Sequence, residues 1–166
     1  MMEDVKENIS DWKDEKEVEA YIERILNKDA FDRTGLVYGM GHAVYTLSDP
    51  RAVLLDEKIK QMAEEKGCME EYKLYDTVAR LAPEVFKRVK KIDKKISPNV
   101  DFYSGFVYEM LDIPEDLYTP LFAVSRIAGW SAHRIEEIIN GGRIIRPAYK
   151  HIRTDTELSY VPLDER

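Results

Sequence analysis

Apolar residues recur at helical intervals along most of the chain and nowhere alternate as they would in a strand. Over residues 14–28, Val18, Ile22, Ile25 and Leu26 fall on one face among Glu, Lys and Arg, the pattern of an amphipathic helix. It runs out at Asn27-Lys28-Asp29. Residues 35–46 hold Gly35, Gly39 and Gly41 with short apolar runs between them, which predicts a loop. Asp49-Pro50 then reads as an N-cap and a first helical residue, because proline lacks only an N–H that the first turn does not use. The helix it opens carries Leu55, Ile59, Met62 and Ala63 on its inner face and ends at Gly67, a residue suited to a left-handed stop.

A third helical stretch over 70–95 carries Leu74, Val78, Leu81, Val85, Val89, Ile92 and Ile96, with Pro83 predicting a kink or a restart. A short helix over 103–111 follows the break at Ser97-Pro98 and ends at Asp112-Ile113-Pro114. Thr119-Pro120 repeats the cap-then-proline signal and opens the longest helix, through Val124, Ile127, Ser131, Ile135 and Ile138, until Gly141-Gly142 stops it. The tail over 143–166 has no period and reads as an extended segment that reaches a partner surface. The fold class is all-α with about five or six helices. Residues 1–30 form an N-terminal linking helical segment, 31–142 a helical domain and 143–166 the tail.

Length and charge narrow the picture. A chain of 166 residues is one domain by size and buries roughly 70% of its unfolded surface. The formal net charge of −7 repels phosphate backbones and anionic lipid, so neither nucleic acid nor a membrane surface is an expected partner. Cys68 is the single cysteine, no apolar run is long enough to span a bilayer, and residues 1–10 are acidic without a signal-peptide core. The expected location is cytoplasmic.

Several residues carry candidate chemistry, each with a plainer alternative. His42 follows Gly39-Met40-Gly41, whose glycines let backbone N–H groups approach a ligand, yet a loop histidine also serves for packing. Asp101 sits at a predicted helix start, where capping is the common use of an aspartate. Arg126 lies among Val124, Ile127 and Ala128 and there needs a buried anion or a route to solvent, or else belongs to the helix surface. Arg51 and Arg146 flank Pro50 and Pro147. The run Lys87, Arg88, Lys90, Lys91, Lys94 and Lys95 reads as a solvated face, and Trp12 and Trp130 as core. His133 and His151 share no metal-ligand spacing with His42 or Cys68, so no metal is expected.

Together, Gly41-His42-Ala43-Val44-Tyr45, Asp49-Pro50-Arg51, Pro98-Asn99-Val100-Asp101-Phe102-Tyr103-Ser104-Gly105, Ser125-Arg126 with Gly129-Trp130, and Arg146-Pro147 resemble the citrate synthase family in order and interval. The resemblance implies the smaller, C-terminal domain of a two-domain acyltransferase of the tricarboxylic acid cycle. That enzyme condenses acetyl-CoA, a co-substrate and not a permanently bound cofactor, with oxaloacetate to citrate and CoA.

By the same resemblance His42 would donate a hydrogen bond to the oxaloacetate carbonyl, and Asp101 would take a proton from the acetyl-CoA methyl group. Arg51 and Arg126 would hold the oxaloacetate carboxylates. Arg146 would reach the neighbouring subunit's site in a homodimer, and Phe122 would line the pocket. The backbone of Val37, Gly39, Met40 and Gly41, with Asn99, would receive coenzyme A. Planar guanidinium forks suit a dicarboxylate better than lysine does.

The family's enol-stabilising histidine and a further oxaloacetate-binding histidine belong to the larger domain and are absent from this sequence, and Thr46 stands where some members carry an arginine for the coenzyme's phosphates. The chain would thus be an excised piece, a gene fragment or half of a split enzyme, inactive without the larger domain. Two other readings stay open: a 2-methylcitrate synthase fragment acting on propionyl-CoA, and a non-catalytic module that binds CoA or docks on a separate large domain.

Overall fold

A computed structural model describes residues 1–45, 47–91 and 95–141. Among the described residues there are six α-helices: α1 (Met2–Asn8), α2 (Glu15–Leu26), α3 (Pro50–Lys66), α4 (Met69–Lys90), α5 (Val100–Met110) and α6 (Tyr118–Ile139), with a 3-10 turn at Glu115–Leu117. The all-α expectation holds. Two compact units are present, Met1–Phe122 and Ala123–Arg166; α6 gives its first turn to the former. Thr46, Ile92, Lys94, Gly142, Arg146 and the predicted tail lie outside the described residues.

The first unit is built on two helix pairs, α2 on α4 and α3 on α5. Val18, Ile22, Ile25 and Leu26 of α2 and Leu74, Val78, Ala82 and Val85 of α4 are all buried. Phe106 of α5 is fully buried and stacks on Tyr75 with ring centroids 4.5 Å apart. Burying a ring of this kind stabilises by about 1.5–3 kcal/mol. Charged residues close the edges of the core. Arg88 pairs with Glu19 and Glu23 of α2, and Lys90 donates to the Leu26 carbonyl at 2.8 Å. The basic run expected to be only a solvated face therefore also ties α4 to α2.

Local signals set several boundaries where the sequence places them. Asp14 caps α2 by accepting from the Lys16 N–H, Asp49 caps α3 by accepting from that of Arg51, and Gly67 closes α3 at φ 74°. Others differ. Helix α1 has no side-chain cap and just two buried residues, Met2 and Val5, so it lacks the periodic signal that a longer helix carries. Its Lys6 is nearly buried against Glu3 and Glu109. Helix α4 runs through Pro83 without a restart and stops at Lys91, which adopts φ 53°. Buried Ala82 and Val85 on either side hold that segment helical despite the missing donor.

Helix α5 begins three residues earlier than expected, because its cap is Asn99 and not Asp101. Helix α6 follows directly from the 3-10 turn, so Thr119 lies inside it and does not cap it. Trp12 packs against the core as expected, but Trp130 is 54% exposed. Its helix carries the apolar spacing of a buried face and buries none of its residues.

Candidate active site

The loop before α3 is sewn to the start of α5. Gly41 N–H donates to the Ser97 carbonyl at 2.8 Å, and Asn99 N–H to the Gly39 carbonyl at 2.8 Å. The Asn99 side chain donates to the Gly41 carbonyl at 2.8 Å and accepts from the Asp101 N–H at 2.9 Å. Gly39 makes this approach possible. It sits at φ 79°, and a Cβ there would lie 2.6 Å from the Phe102 Cα, closer than two carbons can pack. The backbone of Gly39, Met40 and Gly41 is thereby fixed against Asn99, while Val37 is half-buried against the core.

His42 leaves this loop with its ring already oriented. Its Nδ1 accepts from the backbone N–H of Val44 at 3.0 Å and of Tyr45 at 3.1 Å. A nitrogen that accepts two N–H groups carries no proton, so in the neutral ring the proton is on Nε2. That Nε2 lies 3.3 Å from Arg51 Nη2. Two donors meet there, an arrangement that an oxygen lying alongside both would satisfy.

Asp49 is 1% exposed and holds Arg51 through three bonds, from the backbone N–H at 3.0 Å, Nε at 3.0 Å and Nη2 at 2.8 Å. Those bonds from Arg51 hold the Asp49 carboxyl down at about 2 against the opposing effect of burial. The guanidinium carbon lies 5.4 Å from the centre of the Tyr45 ring, which itself lies 5.0 Å from that of His42. The Arg51 side chain is still 44% exposed.

Asp101 is exposed in the first turn of α5. Since Asn99 supplies the cap, the Asp101 carboxylate is not spent on capping, and the plainer reading of this residue falls. The Asp49 hydrogen bonds push the Arg51 guanidinium above its ordinary value, and the Asp101 charge adds a smaller effect in the same direction. Asp101 also lines two clefts. One, of about 540 Å³, includes Tyr38, Gly39, Tyr75, Phe102 and Tyr118; the other, of about 300 Å³, includes Ser104, Gly105, Tyr108, Tyr118 and Phe122. Both volumes are of small-ligand size. His42 and Arg51 lie outside these linings. Arg126 is exposed on the second unit, which is the surface position given above as its alternative.

The family model for the C-terminal domain of citrate synthase matches residues 1–148. The chain belongs to the citrate synthase family. The citrate synthase of Synechocystis sp. is 43% identical over 152 residues, covering 90% of this chain and 34% of the relative. That of Haloferax volcanii is 41% identical over 139 residues, covering 84% and 34%. The chain therefore spans about a third of the length of the curated citrate synthases it matches. Among solved structures, Thermoplasma acidophilum citrate synthase in ternary complex with carboxymethyl coenzyme A and oxaloacetate aligns with a TM-score of 0.63 at 31% identity, over 99% of this chain and 40% of that one.

The sequence marks Asp49 only as a cap and gives Tyr45 and Tyr118 no part in the site. The signal for Asp49 was present, since a cap residue two positions before an arginine can bond both its backbone and its guanidinium. Tyr118 gave none, because its place in both clefts depends on how the first turn of α6 meets α5.

Among the described residues no helix is long and apolar enough to cross a membrane, and no three His, Cys, Asp or Glu residues cluster as metal ligands would.

Proposed function

We propose that this chain is the oxaloacetate- and CoA-binding part of a citrate synthase that condenses acetyl-CoA with oxaloacetate. The observation that supports it most is the pairing of His42 Nε2 with Arg51 Nη2 at 3.3 Å, on a loop bonded through Asn99 to the helix of Asp101. His42 donates from Nε2 to the ketone oxygen of oxaloacetate and makes its carbon more electrophilic. Arg51 holds the neighbouring carboxylate with its remaining donors. The family resemblance assigns Arg126, Arg146 across a homodimer, and the ring of Phe122 to oxaloacetate as well.

Asp101 takes a proton from the methyl group of acetyl-CoA. A carboxylate is far too weak a base for this step unless a donor stabilises the enol oxygen as it forms. That donor belongs to the part of the enzyme outside this sequence, so this chain alone is inactive. Coenzyme A lies along Val37, Gly39, Met40, Gly41 and Asn99, and the expected setting is a cytoplasmic homodimer with the larger domain. Propionyl-CoA is the second substrate to assay, since one methylene is worth only about 1–3 kcal/mol of discrimination.

The test is a chimera in which residues 1–148 replace the matching part of the Synechocystis enzyme. CoA release that depends on oxaloacetate and falls by about 100-fold or more in Asp101→Asn is the expected result. A well-folded chimera with no turnover, or one indifferent to that substitution, would sink the proposal.

A further inference from the structure

Arginine has five N–H donors, and Asp49 occupies the Nε–H and one Nη2–H of Arg51, as well as its backbone N–H. With one edge on a buried carboxylate and a face over Tyr45, the guanidinium has little rotational freedom. Beyond these bonds it keeps the other Nη2 hydrogen, with Nη2 3.3 Å from His42 Nε2, and the Nη1 pair. Capping α3 does not require this. A cap needs one acceptor, and Asn or Ser serves nearly as well as Asp. A buried anion next to a carboxylate-binding site also opposes binding by its charge, so an aspartate here needs a reason beyond the cap.

We infer that Asp49 is a positioning residue, acting through Arg51, that locks the guanidinium in register with His42 Nε2 so that one α-keto acid group meets both donors at once. The inference rests on the oxaloacetate reading above. It has a competitor of opposite sign: if Asp49 were only a cap, Asp49→Asn would keep the cap, remove a repelling charge and tighten anion binding. If Asp49 positions Arg51, the same change loosens it, because the Asn amide presents N–H to Nη2 and the guanidinium turns away.

The experiment follows the Arg51 Nε–H and His42 ring nitrogens by NMR in the 15N-labelled chain and in Asp49→Asn and Asp49→Ser, during titration with millimolar oxaloacetate. In the wild type the Arg51 Nε–H exchanges slowly with water, His42 is the Nε2–H tautomer, and both signals move with oxaloacetate. In each variant circular dichroism stays helical, the Arg51 protection is lost, and the dissociation constant rises about tenfold or more. Protection retained, or affinity unchanged or tighter, overturns the inference. Loss of fold in both variants overturns it too, by assigning Asp49 to the cap. Wild-type signals that ignore oxaloacetate overturn the dicarboxylate reading itself and this inference with it, a result distinct from the first two.

Discussion

Within Met1–Phe122, helices α2 to α5 each bury an apolar face, and Val18, Ile59, Leu74 and Phe106 reach 0–1% exposure. In the described part of the second unit, Val124, Ile127, Trp130, Ile135, Ile138 and Ile139 are each 54–76% exposed. Both regions carry the same helical spacing of apolar residues. The spacing states that a face is to be covered, and only the first unit contains what covers it among the described residues. His42, Arg51, Asn99 and Asp101 all belong to that unit, where a packed core fixes the backbone that holds them.

The sharpest contrast comes from truncating the core. Phe106→Ala should cost about 3–5 kcal/mol, read as a fall in the urea midpoint, whereas a cost below about 1 kcal/mol would mean that the first unit is not packed as described. Gly39→Ala comes next, at about 2 kcal/mol or more, because the new methyl meets the α5 backbone and the residue stands at positive φ. It should also displace His42, which the ring signals of that histidine would register.

Acid tests the buried carboxylate. The Asp49 carboxyl lies at about 2 in the fold against an ordinary 3.8, so between those values the unfolded chain binds the extra proton and stability rises with pH. The Asp49 contribution is complete above pH 4 and is lost as pH falls towards 2. Asp49→Asn should flatten that stretch of the acid unfolding curve; an unchanged curve would show that Arg51 does not hold this carboxylate. Least affected is α6. Ile135→Ala should change stability by no more than about 0.5 kcal/mol in this chain, and a loss comparable to that of Phe106→Ala would erase the contrast between the two regions.

Elements defined by chemistry within a few residues were legible in the sequence: Asp49 as a cap, Pro50 at a first turn, Gly67 as a stop, and the glycine loop before α3. The family, too, was legible, because its motifs keep their order. What could not be read depended on residues far apart in the chain. Helix α1 is stabilised by Lys6 reaching Glu109, and α4 stays helical through Pro83 because its neighbours are buried. Asp101 has the sequence setting of a cap, but Asn99 fills that place while bonding the loop of His42. For Trp130, periodicity gave the face but not its cover.

Citrate formation by the purified chain from acetyl-CoA and oxaloacetate, beside an Asp101→Asn control, addresses the claim that this chain holds part of the site and lacks its enol donor. No citrate above the control is expected. Turnover by the wild-type chain that vanishes in Asp101→Asn would mean that a histidine or backbone N–H of this chain supplies the enol donor, and would contradict the division of the site drawn here.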